Sequence, residues 1–288
     1  MKNNLKSRRI GCHVSIAGGI WNAPKQAREF GCEVFQMFSR SPQGGKPSPL
    51  NKTNLDKFFA ALKEYGFNPG GYVIHCPYYI NLASGNPTTI KNSIRIIREE
   101  LERATLLKAQ YIMAHMGSAK EVGEEKGVKL VSNAITQILK GYRGTAQFLI
   151  EMSAGAGAVI GDTFEEVTLI LNHIKVDKST LSPGICFDTQ HAFGSGYDLR
   201  TPEAVHKTFK EFDRKIGIDK LKMAHCNDSM VELGSHRDRH EHIGKGKIGL
   251  SGFKALLNEP MLKHINWYAE TEHDKVVEDI KLLKKLRG

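Results

Sequence analysis

The sequence predicts an α/β chain folded as one closed (β/α)8 barrel, a TIM barrel, and three observations carry that prediction. Eight short apolar, β-rich segments recur along the chain. Amphipathic or charged stretches at helical spacing separate them, the alternation that builds a parallel sheet. From the third segment on, the starts fall roughly one strand–helix unit apart, and 288 residues suit eight such units with loop insertions.

The strands are read at 10–15 (IGCHVS), 32–38 (CEVFQMF), 71–76 (GYVIHC), 110–115 (QYIMAH), 147–152 (QFLIEM), 184–189 (GICFDT), 221–226 (LKMAHC) and 266–271 (NWYAET). In the helix before the fourth strand, Ile94, Ile97, Leu101 and Ala104 recur on one face, opposite Arg95, Arg98, Glu99 and Glu102. TPEAVHKTFKEF opens with Thr201 as an N-cap and Pro202 at the first helical position. No linker or low-complexity run divides the chain, so 1–288 is read as a single domain with a basic tail at 1–9. A doubly wound open sheet is the alternative topology. The longest irregular stretches, 39–53 and 227–249, both follow strands and so belong to the C-terminal face, where barrel active sites lie.

Bulk composition narrows the class. Hydrophobic residues make up 40% of the chain, enough for a large core. No apolar run approaches the ~20 residues of a membrane span, and no signal-peptide core follows the basic start, so the expectation is a soluble intracellular protein, cytoplasmic or wherever its partner resides. The five cysteines form no CxxC pair and are read as reduced, buried thiols. The net charge of +10 suits a polyanionic partner, and 12 histidines prompt a search for metal ligands.

That search finds a repeated pattern. The third to eighth strands end in His75, His115, Glu151, Asp188, His225 and Glu270. In a closed barrel these ends ring one axis, and six ionisable groups converging there need cations between them. His191, Asp238 and His240 add donors on the following loops; Asp238 and His240, two apart in extended chain, share a side. Imidazole and carboxylate without thiolate favour zinc, with manganese or iron suited to the same donors. Nine donors exceed one tetrahedral ion and fit two or three, an arrangement suited to phosphate-ester hydrolysis. Each position alone also fits a plainer role: a satisfied strand-end histidine, a charged surface loop or a helix cap. Against the cap, HAFGSGYDL separates Asp188 from the helix expected at Thr201. His236 and His242 flank the loop donors as supporting residues. His173, His206 and His264 are read as solvent-facing or packed. His13 stays open between a supporting donor, a phosphate contact and packed core.

GCHVSIAGG, HCPYYINLAS, HMGS, EMSAGAG, FDTQHAFGSGYDLRT, HCNDS, GSHRDRHEHIG and AETE, spread over residues 10 to 272, together resemble the successive signatures of the endonuclease IV family of apurinic/apyrimidinic (AP) endonucleases. The resemblance implies three zinc ions. His75, His115 and Glu151 would hold one. Glu151, the bridging residue on which catalysis turns, would share a second with Asp188, His225 and Glu270. His191, Asp238 and His240 would hold the third. It implies hydrolysis of the phosphodiester 5′ to an abasic site in double-stranded DNA, leaving a 3′-hydroxyl and a 5′-deoxyribose phosphate, together with trimming of blocked 3′ ends. A monomer is expected, since recognition of DNA on a barrel face needs no partner. Tyr78 matches a tyrosine the family uses on DNA, and Arg239 suits a backbone phosphate. After the second strand, relatives carry an Arg and then a bulky residue. Here Gln43 stands near the Arg position, followed by Gly44 and Gly45, with Arg40 or Lys46 as substitutes for the charge. Met116 replaces a common Pro or Leu. Two other readings remain at this point: a metal-dependent sugar isomerase or epimerase on the same barrel, and a non-catalytic binder of damaged DNA.

Overall fold

Eight parallel strands close on themselves: β1 (Ile10–Val14), β2 (Val34–Phe38), β3 (Tyr72–His75), β4 (Tyr111–Ala114), β5 (Gln147–Glu151), β6 (Gly184–Asp188), β7 (Leu221–His225) and β8 (Asn266–Ala269), with β1 paired to both β2 and β8. The computed structural model describes residues 8–177 and 179–288. Residues 1–7 of the expected basic tail therefore lie outside the described residues. The eight strands coincide with the eight expected segments, each shortened by one or two residues.

Helices cover the outside: α1 (Ala23–Glu29), α2 (Lys52–Glu64), α3 (Pro87–Leu107), α4 (Glu124–Leu139), α5 (Phe164–His173), α6 (Thr189–Gly194), α7 (Pro202–Lys215), α8 (Gly249–Asn258) and α9 (Val276–Arg287). Their starts follow local chemistry. Asn51, Asn86, Thr163 and Thr201 each accept a backbone N–H of the first turn, and Pro87 and Pro202 stand at first helical positions. On α3, Ile97, Leu101 and Ala104 are fully buried against the sheet, as their spacing predicts. Each such large apolar side chain contributes about 1.5–3 kcal/mol. Among the described residues no helix is long and apolar enough to cross a membrane.

Inside the barrel a separate layer of Val34, Val73, Met113, Leu149, Cys186, Met223 and Tyr268 fills the cross-section. Side chains alternate along a strand, so the residue two further on also points inward. Those residues are Gln36, His75, His115, Glu151, Asp188, His225 and Glu270. On β1 the pattern is Gly11 and then His13, with Gly11 beside Val34 and His13 beside Gln36. A Cβ on Gly11 would lie 1.7 Å from the Val34 carbonyl oxygen, so only glycine fits there. The apolar layer thus floors a polar ring at the C-terminal end to which every strand contributes.

Two expectations need correction. Asp188 does cap a helix: its Oδ1 accepts the His191 N–H at 2.8 Å and starts the six-residue α6, a short turn of helix that the glycine-rich sequence hides. The stretch 227–249 is not wholly irregular; Asp228–Ser229 pairs antiparallel with His240–Glu241. This ribbon fixes the direction from which His240 enters the centre.

Candidate metal centre

All nine candidate donors come together above the apolar floor. His75 Nε2 and His115 Nε2 lie 3.4 and 3.6 Å from Glu151 Oε2. His225 Nδ1 lies 2.8 Å from Glu151 Oε1, 3.2 Å from Glu270 Oε2 and 3.7 Å from Asp188 Oδ2. Asp238 stands between His191 Nε2 at 3.4 Å and His240 Nε2 at 3.3 Å. Three groups each place their donor atoms within 4.8 Å of one another: His75, His115 and Glu151; Glu151, Asp188, His225 and Glu270; and Asp188, His191 and His240. Asp188 therefore borders two of them.

Three of the donor atoms are left unsatisfied. His75 Nε2, Glu151 Oε2 and His240 Nε2 are buried without a hydrogen-bond partner. Buried polar atoms are seldom left so; the first two belong to one of the three groups and the third to another, so the residues present fit held cations. The opposite ring nitrogens are already engaged. His75 Nδ1–H donates to the Cys76 carbonyl at 2.5 Å, and His191 Nδ1–H to the Met152 carbonyl at 2.8 Å. Each bond turns Nε2 inward, where it would give up its proton to an ion.

Electrostatics agree. Burial works against ionised Glu151, yet His115 and His225 outweigh it and hold the carboxyl well below its usual range. Burial also opposes charge on His191, but Asp188 and then Asp238 lift it to about 10. Asp238, partly buried, is brought down to about 2 by His191 and then His240. His13 is driven well below 6.5 by burial and by neighbouring His75 and His225.

Residues that sequence reading missed hold the donors in place. Gln36, fully buried, touches His13, His225 and Glu270. Asn227 Nδ2 donates to Asp188 Oδ2 at 2.7 Å, and its Oδ1 accepts the Glu270 N–H at 2.8 Å. Counting in twos along every strand would have found Gln36; Asn227, two beyond His225 on a loop, carried no such signal. His242 is tied to Asp279 and Asp274 rather than to a donor, and His236 lies 3.8 Å from Asp162. His13 joins the ring through Gln36 and its carbonyl accepts from His273 Nε2 at 3.1 Å. All five cysteines are free and buried, Cys186 in the barrel floor.

The three candidate DNA contacts are all exposed. Tyr78 is 58% exposed, its ring 5.0 Å from His75 and 6.0 Å from His115. Neighbouring Tyr79, 42% exposed, is a second aromatic on the same rim. Arg239 donates to the Asp238 carbonyl at 2.7 Å and otherwise faces outward. Gln43 and Lys46 border a cavity of about 800 Å³ with Trp21 and Phe38. Arg40, expected as a replacement cation, cannot serve: it is 4% exposed and paired to Glu99 and Glu100 of α3. A cavity of about 340 Å³ opens beside His115, His191 and Asp238, with Tyr78 on its edge.

Residues 24–286 match the family described as xylose isomerase-like TIM barrel. A probable endonuclease 4 of Cenarchaeum symbiosum is 37% identical over 97% of this chain and 99% of its own length. One of Chlorobium phaeovibrioides is 39% identical over 97% of this chain and 99% of its own. Among solved structures, endonuclease IV from Thermus thermophilus superposes with a TM-score of 0.84 at 29% identity, covering 96% of this chain and 98% of that one. A D-tagatose 3-epimerase-like protein matches with a TM-score of 0.71 at 20% identity over 96% of each chain, a likeness of fold alone.

Proposed function

The chain belongs to the endonuclease IV family, and from that premise we propose that its strand-end cluster is a three-zinc centre that hydrolyses the phosphodiester 5′ to an abasic site in double-stranded DNA. The protein is a metal-dependent, DNA-cleaving hydrolase. The observation that supports the finer reading is that the unpartnered His75 Nε2, Glu151 Oε2 and His240 Nε2 belong to residues of clusters whose donor atoms lie within 4.8 Å of one another. His75, His115 and Glu151 would hold one ion, Glu151, Asp188, His225 and Glu270 a second, and His191, Asp238 and His240 the third. Imidazole and carboxylate donors, with no thiol in any of the three groups, favour zinc. When bound, the ions supply positive charge for the phosphate and acidify water.

The chain's own groups do the rest. Glu151 belongs to two donor groups and would be shared by the ions they hold. The carbonyls of Cys76 and Met152 hold the His75 and His191 rings so that Nε2 faces the substrate side. Tyr78 and Tyr79 offer flat apolar faces to a distorted duplex, and unstacking is least costly where a base is already missing. The cavity beside His115, His191 and Asp238 admits a sugar-sized group. Arg239 presents its guanidinium to a backbone phosphate, and Gln43 to the groove. Trimming of blocked 3′ ends follows from the same site, since it breaks the same kind of bond. One chain carries the whole centre, so a monomer acting wherever DNA resides suffices. The epimerase reading shares the barrel only, and a non-catalytic binder has no use for nine converging donors.

The test is incision of a duplex with one abasic site, before and after prolonged chelation, with Glu151→Gln as control. Cutting should stop on chelation, return with zinc and be absent in the variant. Robust cutting by Glu151→Gln would overturn the mechanism.

A further inference from the structure

We infer that Gln36 is a positioning residue of the metal centre: its side-chain amide fixes the ring of His225 and the carboxylate of Glu270 together. The inference rests on the three-ion reading and extends it to β2, a strand that supplies no donor.

Gln36 is fully buried in the barrel, where an uncharged polar side chain is costly unless satisfied. Its amide is spent three ways. Nε2 donates to Glu270 Oε1 at 2.6 Å and to His13 Nδ1 at 3.0 Å, while Oε1 lies 2.8 Å from His225 Nε2. The orientation of the amide follows from Glu270: an ionised carboxylate can only accept, so the nitrogen must face it. The oxygen then faces His225, and an oxygen needs a donor, so a proton sits on Nε2. Nδ1 is the nitrogen turned to the carboxylates of Glu151, Glu270 and Asp188, and it is the one that would give up its proton to an ion. His13 completes the arrangement by accepting the second amide hydrogen, so its own proton is on Nε2 as well.

The consequence is selective. Of the three donor groups, only the one with Glu151, Asp188, His225 and Glu270 has two members held by Gln36. His75 and His191 are set by backbone carbonyls instead. Outer partners of metal-bound histidines tune affinity by about 10–100-fold. Loss of the amide should therefore weaken one ion of three.

The experiment uses the full chain stripped of metal, titrated with zinc against a chromophoric chelator, alongside proton–nitrogen spectra of the histidine-labelled, zinc-loaded protein to read which His225 nitrogen keeps its proton. Gln36→Met keeps the volume without donor or acceptor, and Gln36→Leu replaces it should Gln36→Met lack a cooperative unfolding transition. Wild type should take three equivalents with the His225 proton on Nε2. The apolar variant should hold two as before and the third about 10–100-fold more weakly, with the His225 proton spread over both nitrogens. Gln36→Glu, which still offers an oxygen to Nε2–H, should restore the tautomer. Three equivalents at wild-type affinity in the apolar variant, or an unchanged His225 spectrum, would overturn the inference. A wild type that binds fewer than three would instead sink the three-ion reading beneath it.

Discussion

Asp188 faces His191 twice over: its Oδ1 accepts the His191 backbone N–H at 2.8 Å, and the same oxygen lies 3.9 Å from the His191 ring Nδ1. One carboxylate thus starts the helix that delivers its neighbour and stands between two donor groups. His191→Ala should lower the zinc count by about one and leave the other two ions in place. Asp188→Asn should disturb two ions, because its oxygens border both groups. Either change should cut incision by at least about 100-fold, and per-variant zinc analysis separates them. Equal losses in the two variants would argue against the division.

Asp228 organises the loop behind Asp238 and His240. Its carboxylate accepts five backbone N–H groups: Ser229 at 2.8 Å, Gly244 at 2.9 Å, Gly246 at 3.0 Å, Ile248 at 2.9 Å and Gly249 at 3.2 Å. A Cβ on Gly246 would lie 2.4 Å from the Ser229 carbonyl oxygen, so the turn requires glycine. Asp228→Ala strands those donors and should cost at least about 3 kcal/mol in urea unfolding. Asp228→Asn turns an amide N–H toward other donors and should recover little.

Arg40 and Glu100 form a buried pair, 3% and 0% exposed at the side chain. Ser39 Oγ adds a 2.6 Å bond to Glu100, and Arg103 reaches the Ser48 carbonyl at 3.0 Å. The loop after β2 is thereby stapled to α3. Glu100→Ala should destabilise the protein by about 3–5 kcal/mol, since it leaves the guanidinium buried beside only half-exposed Glu99. Thermal unfolding measures this.

Glu166 supplies a pH dependence away from the metal centre. Burial, reinforced by Asp162 and Glu124, raises its carboxyl from 4.5 to about 7 even though Gly161 N–H donates to it at 2.6 Å. The folded state therefore holds a proton that the unfolded state has released. Stability should fall as pH rises from 4.5 to 7, by on the order of 3 kcal/mol, and level off above. Glu166→Gln should be flat across that window and more stable than wild type at pH 8.

The exposed DNA contacts predict two different failures. Arg239→Ala should weaken binding to all duplexes alike and reduce the salt slope by about one. With Gln43 followed by two glycines in the loop after β2, damage recognition should lean on Tyr78 and phosphate contacts, and discrimination should be weaker. Gln43→Arg should raise the preference for abasic over intact DNA; an unchanged ratio counts against that account.

The strand count and the six polar strand ends could be read from the sequence because both follow short-range periodicity. Gln36 and His13 obey the same period, but a lone Gln inside CEVFQMF looks like an interruption until the barrel places it against Glu270, 234 residues away. Arg40 misled for the same reason: a cation in a loop reads as exposed, and its partner Glu100 is 60 residues on. The α6 cap was obscured because glycines and short polar residues read as turn. What stayed hidden was contact between segments far apart in the chain.

The apolar floor of Val34, Val73, Met113, Leu149, Cys186, Met223 and Tyr268 has a kinetic corollary. A barrel blocked below has one doorway, and ions must load and leave by the route that DNA takes. Occupancy of that doorway by duplex should trap whatever lies behind it, so chelators should strip the free protein faster than the DNA complex.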